Sequence, residues 1–362
     1  LNPSTVNDFC PISLLNCCLK LLTKLLADRL QRVILKIIHE NQYGFIKGKS
    51  IQDCLAWAFE YIHQCEHSGR EIVLLKLDFE KAFDLVEHDL IFAMMDKLGF
   101  DSRWILWVRS LLASGHSSVL LNSVPGSSFH CKRGVRQGDP VSPLLFVLAV
   151  ELLQYVINDE FAKGNLSLPI PRQGKFPVIQ YADDTIIILP TCKEQLLHLK
   201  HLLQNFALSS GLKINFQKSI LVPINVDPSV AAGLAAEFGC KIGKMPFTYL
   251  GLPLGTTKPT MTDLLPLVDR VEIRLSSTCS LLCHASRITL VNSVATSMIN
   301  FAMCTLQLNA GFMQYFDKVT RRFVWTKKNE QGESSNSLVA WQRVYCPKAH
   351  GGLGVVNIKV QN

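Results

Sequence analysis

Two stretches decide the fold: Ile72-Val-Leu-Leu-Lys-Leu-Asp-Phe-Glu-Lys-Ala-Phe-Asp84 and Val178-Ile-Gln-Tyr-Ala-Asp-Asp-Thr-Ile-Ile-Ile-Leu189. The first opens as a β-branched and Leu-rich run with the length and composition of a buried strand, which puts Asp78 at a strand terminus. The second is two strand-forming pieces interrupted by Asp183 and Asp184, and predicts a hairpin that turns at the acids. A charge at the lip of a buried sheet is costly unless something neutralises it. Mg²⁺ does so with hard oxygen ligands, and usually keeps positions open for water and phosphate oxygens. Two such ions about 4 Å apart can activate a hydroxyl and stabilise a leaving pyrophosphate, so the acids suit phosphoryl transfer. Taken singly, each acid reads more readily as structural, the Asp-Asp pair as ordinary turn chemistry and Asp78 as the start of a turn or a helix cap.

Outward from these runs the pattern is mostly helical. From Ser13, the positions Leu15, Leu19, Leu22, Leu26, Leu30, Val33 and Ile37 recur at steps of three and four, predicting one long amphipathic helix with Lys20, Lys24, Arg32 and Lys36 off the stripe. Gln42 to Ser50 reads as a loop and Ile51 to His67 as a helix. Helices are expected at Val86 to Leu98 and Ser102 to Ala113, with short strands around Val119 and Phe129. Ser142 followed by Pro143 starts a further helix that the apolar run carries to Ile157. Glu194 to Ser210 is a helix stopped by Gly211. Beyond Gly255 the chain turns helical, with a polar loop from Thr326 to Asn336.

With 362 residues the chain is long enough for two or three subdomains, and 48% hydrophobic content with 18% charged residues excludes global disorder. The net charge of +8 suits an anionic partner without requiring one. Twelve cysteines without a CxxC pair read as free thiols of a reducing compartment. Cys279, Cys283 and His284 lack a matching second half for a metal, and helix packing is the simpler account. No charged residue lies between Arg287 and Asp317, but Asn292, Ser293, Thr296, Ser297, Asn300, Gln307 and Asn309 break the run, so a buried helix of a soluble domain is expected rather than a membrane span. The chain opens on Leu1 inside structured sequence and is expected to be part of something longer.

Seven blocks in order carry a resemblance. Pro11-Ile-Ser-Leu14 with Asn16 and Lys20, Gln42-Tyr-Gly-Phe-Ile-Lys-Gly48, Lys76 to Asp84, Gly134-Val-Arg-Gln-Gly-Asp-Pro-Val-Ser-Pro143, Tyr181-Ala-Asp-Asp184, Gly211-Leu-Lys-Ile-Asn215 with Lys218-Ser219, and Tyr249-Leu-Gly-Leu-Pro253 together resemble the reverse transcriptase domain of non-LTR, LINE-type retrotransposons. The later part, including Trp341 to Gly354, looks most like plant members. The resemblance implies an α+β right-hand polymerase fold: fingers over residues 1–70, a palm over 71–255 with finger insertions and a primer-grip-like hairpin at its end, and a helical thumb with a C-terminal tail over 256–362. It implies RNA-directed DNA synthesis, with an RNA template, a DNA primer, dNTPs and two Mg²⁺ ions as partners and no membrane.

Carried onto matching positions, the family places the metals on Asp78, Asp183 and Asp184 with the Phe79 backbone carbonyl. Phe83, five residues after Asp78, falls where a steric gate against the 2′-hydroxyl is found; from the residues alone it reads as core. Gln137 and Gly138 suit close approach to nucleotide and template, or simply a loop before a helix. Lys132, Arg133 and Arg136 are candidate phosphate contacts, or a solvated loop. Lys218 is a candidate proton donor to pyrophosphate, with Lys213 as the alternative. Tyr249, Leu250 and Gly251 are candidate nucleic-acid contacts.

Two positions depart from the family pattern. Cys10 stands where Arg usually helps to hold the triphosphate, and Lys49 where Arg is common, which keeps the charge but loses the forked geometry. These departures leave open a second reading, a decayed domain that binds RNA without catalysis. No endonuclease sequence is visible, so target nicking would need an endonuclease domain outside these residues. A nuclear location is implied by the family alone.

Overall fold

The computed structural model describes residue 13 and residues 15–171, 177–277, 282–329, 332–335 and 337–361. Cys10, the Pro11, Ile12 and Leu14 positions of the first block, and Cys279 lie outside these residues. The chain divides into two units, Leu1–Lys244 and Met245–Asn362. The Tyr249 hairpin lies in the second unit, with the helical region expected from residue 256. Residues 1–70 do not separate from the sheet that follows them.

In the first unit, Asn16 caps α1 (Cys17–Leu30) by accepting from the Leu19 N–H, and α2 (Ile34–Ile37) follows after a break at 31–33. The single long helix expected here is therefore two. Its buried face is Thr23, Ala27, Leu30 and Ile34, while Leu22 is 58% exposed and Val33 43%. Leucines occur on more than one side of α1, so step-counting selects no single face. A capping box between Ser50 and Asp53 starts α3 (Ile51–His67), which packs against the sheet.

β1 (Ile72–Leu77) leads past Asp78 into the short α4 (Ala82–Leu85), then α5 (His88–Lys97) and α6 (Ser102–Ala113). Four two-residue strands follow: β2 (His116–Ser117), β3 (Leu120–Leu121), β4 (Val124–Pro125) and β5 (Phe129–His130), paired β2 with β5 and β3 with β4. α7 (Ser142–Ala162) is buried on every side from Leu144 to Val150, as its apolar run dictates, and forms the centre of the core. Next come the hairpin β6 (Val178–Tyr181) and β7 (Asp184–Pro190), α8 (Lys193–Ser210), β8 (Ile220–Ile224), α9 (Pro228–Phe238) and β9 (Lys241–Ile242). The sheet runs β6-β7-β1-β8-β9, antiparallel except for the β8–β9 pair. β1 is its middle strand: Val73, Leu75 and Leu77 join the α7 core, and Ile72 and Leu74 are buried on the other face.

The second unit begins with the hairpin β10 (Phe247–Tyr249) and β11 (Leu252–Leu254), which turns at Leu250 and Gly251 with φ of +48° and +85°. After α10 (Met261–Ser276), α11 (His284–Leu290) continues through a π turn at 291–295 into α12 (Thr296–Thr305). This stretch is long and apolar enough to cross a membrane by length and composition. It is half-buried rather than buried as expected: Val291, Ala295, Ile299 and Ala302 face inward, and Ser293, Ser297 and Asn300 are exposed. Asn292 holds the tail, donating to the Gly354 carbonyl at 2.9 Å and accepting from the Val356 N–H at 3.1 Å.

α13 (Ala310–Trp325) runs into β12 (Thr326–Asn329) and β13 (Gly332–Ser335), a hairpin where the polar composition had predicted a loop, and the tail carries α14 (Trp341–Tyr345) and α15 (Ile358–Gln361). The end of α13 is closed by Arg287, 9% exposed, whose guanidinium donates to the carbonyls of Leu282 at 3.1 Å, Phe323 at 3.3 Å and Thr326. His284 donates to the Val324 carbonyl at 3.1 Å, whereas Cys283 is exposed with its Sγ 3.2 Å from Ser286 Oγ, so the buried packing expected of this pair is not what the fold gives it. Removing a buried donor strands those carbonyls, so Arg287→Leu is expected to destabilise the second unit by about 2–4 kcal/mol, read as a lower urea midpoint.

Candidate active site

The strand ends set the three acids at one edge of the sheet. Tyr181 pairs with Asp184, so the β6–β7 turn consists of Ala182 and Asp183 alone, with Ala182 in the left-handed region at φ +57°. β1 pairs with β7 up to Leu77 opposite Thr185, and one further step sets Asp78 opposite Asp184. All three acids are half-buried. Burial raises the Asp183 carboxyl above the usual range, and the Asp78 charge adds to it. Burial raises Asp184 as well, reinforced by Asp183 and Asp78 and opposed by Lys76.

Asp78 is held by its backbone. Its N–H donates to Ser219 Oγ at 3.1 Å and its carbonyl accepts from the Asn215 N–H at 2.7 Å. Ser219 Oγ in turn donates to the Asn215 carbonyl at 2.8 Å, and the Glu80 N–H donates to the Lys213 carbonyl at 2.9 Å. The Phe79 side chain is buried beneath this strap. Lys218 stands in the strap with its side chain exposed, as does Lys213.

The turn itself is held by Gln42, which is 1% exposed. Its Oε1 accepts from the N–H of Gly44 and of Ala182, both at 2.9 Å. The Tyr43 N–H donates to the Gln180 carbonyl at 2.8 Å, and the Gln180 N–H to the Asn41 carbonyl at 2.9 Å. A Cβ at Gly44 would lie 2.3 Å from the Ala182 nitrogen, so only glycine fits. Lys49 Nζ donates to three carbonyls of the same loop, His39 at 3.0 Å, Glu40 at 2.8 Å and Gln42 at 2.7 Å. An ammonium with three rotatable donors suits these converging carbonyls, and no fork is required.

The 134–143 loop docks on the segment after Asp78. Val135 N–H donates to the Phe83 carbonyl and Gly134 N–H to that of Val86, both at 2.7 Å, while His88 Nε2 donates to the Gly134 carbonyl at 2.8 Å. Gln137 Nε2 lies 3.5 Å from Asp84 Oδ1. Burial raises the Asp84 carboxyl, against the pull of Lys81 and Gln137. Gly138 is exposed at φ +94°. Phe83 is half-buried, stacked on Phe146 at 4.7 Å between centroids and met edge-on by Phe45 at 6.2 Å. Phe45 itself sits at φ +61°, a strain of about 1–2 kcal/mol for an L-residue.

The remaining candidates separate. Lys132 and Arg133 are exposed, with Arg133 3.9 Å from Glu87. Arg136 is not a phosphate contact: its side chain is 13% exposed, donates to the Leu111 carbonyl at 2.9 Å and lies 3.8 Å from Asp139. Its sequence neighbours concealed this, because a basic run looks uniform until the chain turns one member inward. Tyr249 is fully buried in the second unit, so its ring offers no surface to nucleic acid, and only Leu250 and Gly251 form the hairpin tip. Among the described residues no three His, Cys, Asp or Glu side chains gather closely enough to hold an ion as placed. The fit to a divalent cation therefore rests on the donors: three mutually repelling carboxylates at one lip.

A family model described as reverse transcriptase (RNA-dependent DNA polymerase) matches residues 3–254. The chain belongs to the reverse transcriptase family. The match covers the first unit from residue 3 onward and the β10–β11 hairpin. Relatives include an uncharacterised 149 kDa protein of transposon TX1 from Xenopus laevis, 26% identical over 98% of this chain. A Pol polyprotein of the R2DM retrotransposable element from Drosophila melanogaster is 24% identical over 97% of it. The chain spans 26% and 33% of their lengths. A shorter match, 34% identical over 26% of this chain and 15% of its relative, is to an Arabidopsis thaliana protein named for ribonuclease H. Among solved structures, a Candida albicans telomerase aligns with a TM-score of 0.45 and 13% identity over 85% of this chain and 51% of its own. The relatives that match nearly the whole of this chain are proteins of transposable elements.

Gln42, Asn215 and Ser219 were not singled out as site residues from sequence. Each lies in a block that carries the family likeness, but each acts on backbone far along the chain, which residue type does not disclose. Beside this scaffold, Glu151 on α7 is buried, with Oε1 accepting from the His39 N–H at 2.9 Å and Oε2 without a hydrogen-bond partner. Burial pushes its carboxyl up to about 8, against the His39 hydrogen bond and Lys49. The folded chain thus binds a proton that the unfolded chain releases near pH 4.5, and stability falls as pH rises from there through about 8. Glu151→Gln is expected to remove that loss, with a higher melting temperature than the parent at pH 9 and little difference at pH 4.5.

Proposed function

We propose that this chain is an RNA-directed DNA polymerase that extends a DNA primer on an RNA template with dNTPs. One observation carries the reading: β1, β6 and β7 place Asp78, Asp183 and Asp184 at one lip of a buried sheet, where burial and mutual repulsion raise the two hairpin acids. Asp78, Asp183 and Asp184, with the Phe79 carbonyl, would hold two Mg²⁺ ions. When bound, such ions stabilise the charge of a transferring phosphoryl group.

The chain's own residues do the rest. Ser219 and Asn215 fix the Asp78 backbone, and Gln42 fixes the turn below Asp183, so the carboxylates need little reorganisation. Phe83 fills the space of a ribose 2′-hydroxyl and thereby selects deoxyribose. Gly138, open and left-handed, admits a nucleotide close to the backbone, and Gln137 offers a donor and an acceptor beside it. Lys132 and Arg133 hold phosphates and make binding salt-dependent. Exposed Lys218 gives a proton to pyrophosphate, and the Leu250-Gly251 tip meets the primer. A longer parent protein of LINE type, with an endonuclease domain elsewhere in it and a plant origin suggested by the tail and the Arabidopsis match, completes the reading.

Primer extension on an RNA template with Mg²⁺ tests it. The parent chain is expected to incorporate dNTPs, and Asp183→Asn to lose about a thousandfold or more while retaining RNA binding. Equal signal from both would remove the polymerase reading. RNA binding without incorporation by the parent would instead establish the non-catalytic alternative.

A further inference from the structure

Phe45 combines features that packing does not explain. It is 44% exposed, it holds a left-handed backbone at φ +61°, and its ring stands edge-on to Phe83 at an interplanar angle of 85°. A bulky side chain keeps such a backbone only where its surroundings over-determine it. Here they do. Gln31 Nε2 donates to the Phe45 carbonyl at 2.7 Å, and Gln31 Oε1 accepts from the Lys47 N–H at 2.9 Å, clamping the loop on both sides of residue 46. On the other side Gly44 is fixed against Ala182. Glycine would fill position 45 without strain, so what the aromatic residue adds is its ring.

That ring touches Phe83. Phe146 on α7 supports one face of Phe83, stacked within 17° of parallel. A ring supported on one face alone can tilt when a sugar hydroxyl presses on it, and an edge-on neighbour resists the tilt. We propose that Phe45 is a positioning residue for sugar selection, closing on Phe83 and holding it where 2′-deoxynucleoside triphosphates are admitted and ribonucleoside triphosphates refused. The inference rests on the reading of Phe83 as the gate.

The test is single-nucleotide extension on an RNA template with matched deoxy- and ribonucleoside triphosphates, read as the ratio of their kcat/KM values. General loss of stability lowers both values and leaves their ratio alone. Phe83→Ala should abolish the deoxy preference. Phe45→Gly, which takes the left-handed backbone freely and so folds, should lower the ratio about tenfold, the size of one edge-to-face contact. Phe45→Tyr, which keeps the ring, should retain the parent ratio. A parent-like ratio in Phe45→Gly, with Phe83→Ala still unselective, overturns the role of Phe45 and leaves the gate standing. Unchanged selectivity in Phe83→Ala overturns the gate and this inference together.

Discussion

Burial of three carboxylates, Asp78, Asp183 and Asp184, at the end of one sheet, with their like charges adding to the cost, is the constraint that the backbone around them answers. Like charges near the end of a buried sheet drive their strands apart unless the backbone beneath them is fixed. The fixing is done almost wholly by main-chain atoms and by two short polar side chains. Ser219 takes the Asp78 N–H, Asn215 gives its own N–H to the Asp78 carbonyl, and Gln42 spans Gly44 and Ala182 with one oxygen. The sheet behind them, with α7 packed against it, supplies the rigidity that these few hydrogen bonds direct.

Much of this was legible from residue order. β1, α3, the acid hairpin and the stop at Gly211 lie where the sequence places them, β1 because its unbroken β-branched and Leu-rich run ends at a charge and α8 because Gly211 takes the left-handed backbone that stops it. α1 was harder: its leucines surround the helix, and tertiary packing chose the Thr23 and Ala27 side. The 326–335 hairpin reads as loop because polar composition carries no alternation between a wet and a dry face.

The site was legible in its acids and less so in its supports. A carboxylate at a strand end reads alone as turn chemistry, and it is the seven blocks around the acids that draw attention to them. Arg136 reads from sequence as a phosphate contact and Lys49 as a stand-in for arginine, yet both meet backbone carbonyls, which any residue supplies. Tyr249 looked like a contact and is core. In each case the missing information was which way a side chain turns, and that depends on residues distant in sequence.

The contact between Gly44 and Ala182 sets unequal tolerances for genetic drift. Gln42 grips position 182 by its amide, so the identity of the small side chain there is of little consequence to the grip. A single added methyl at 44, by contrast, collides with that amide. Copies of such a sequence accumulating random changes can therefore lose the turn through a glycine distant in sequence from Asp78, Asp183 and Asp184, with all three carboxylates still in place.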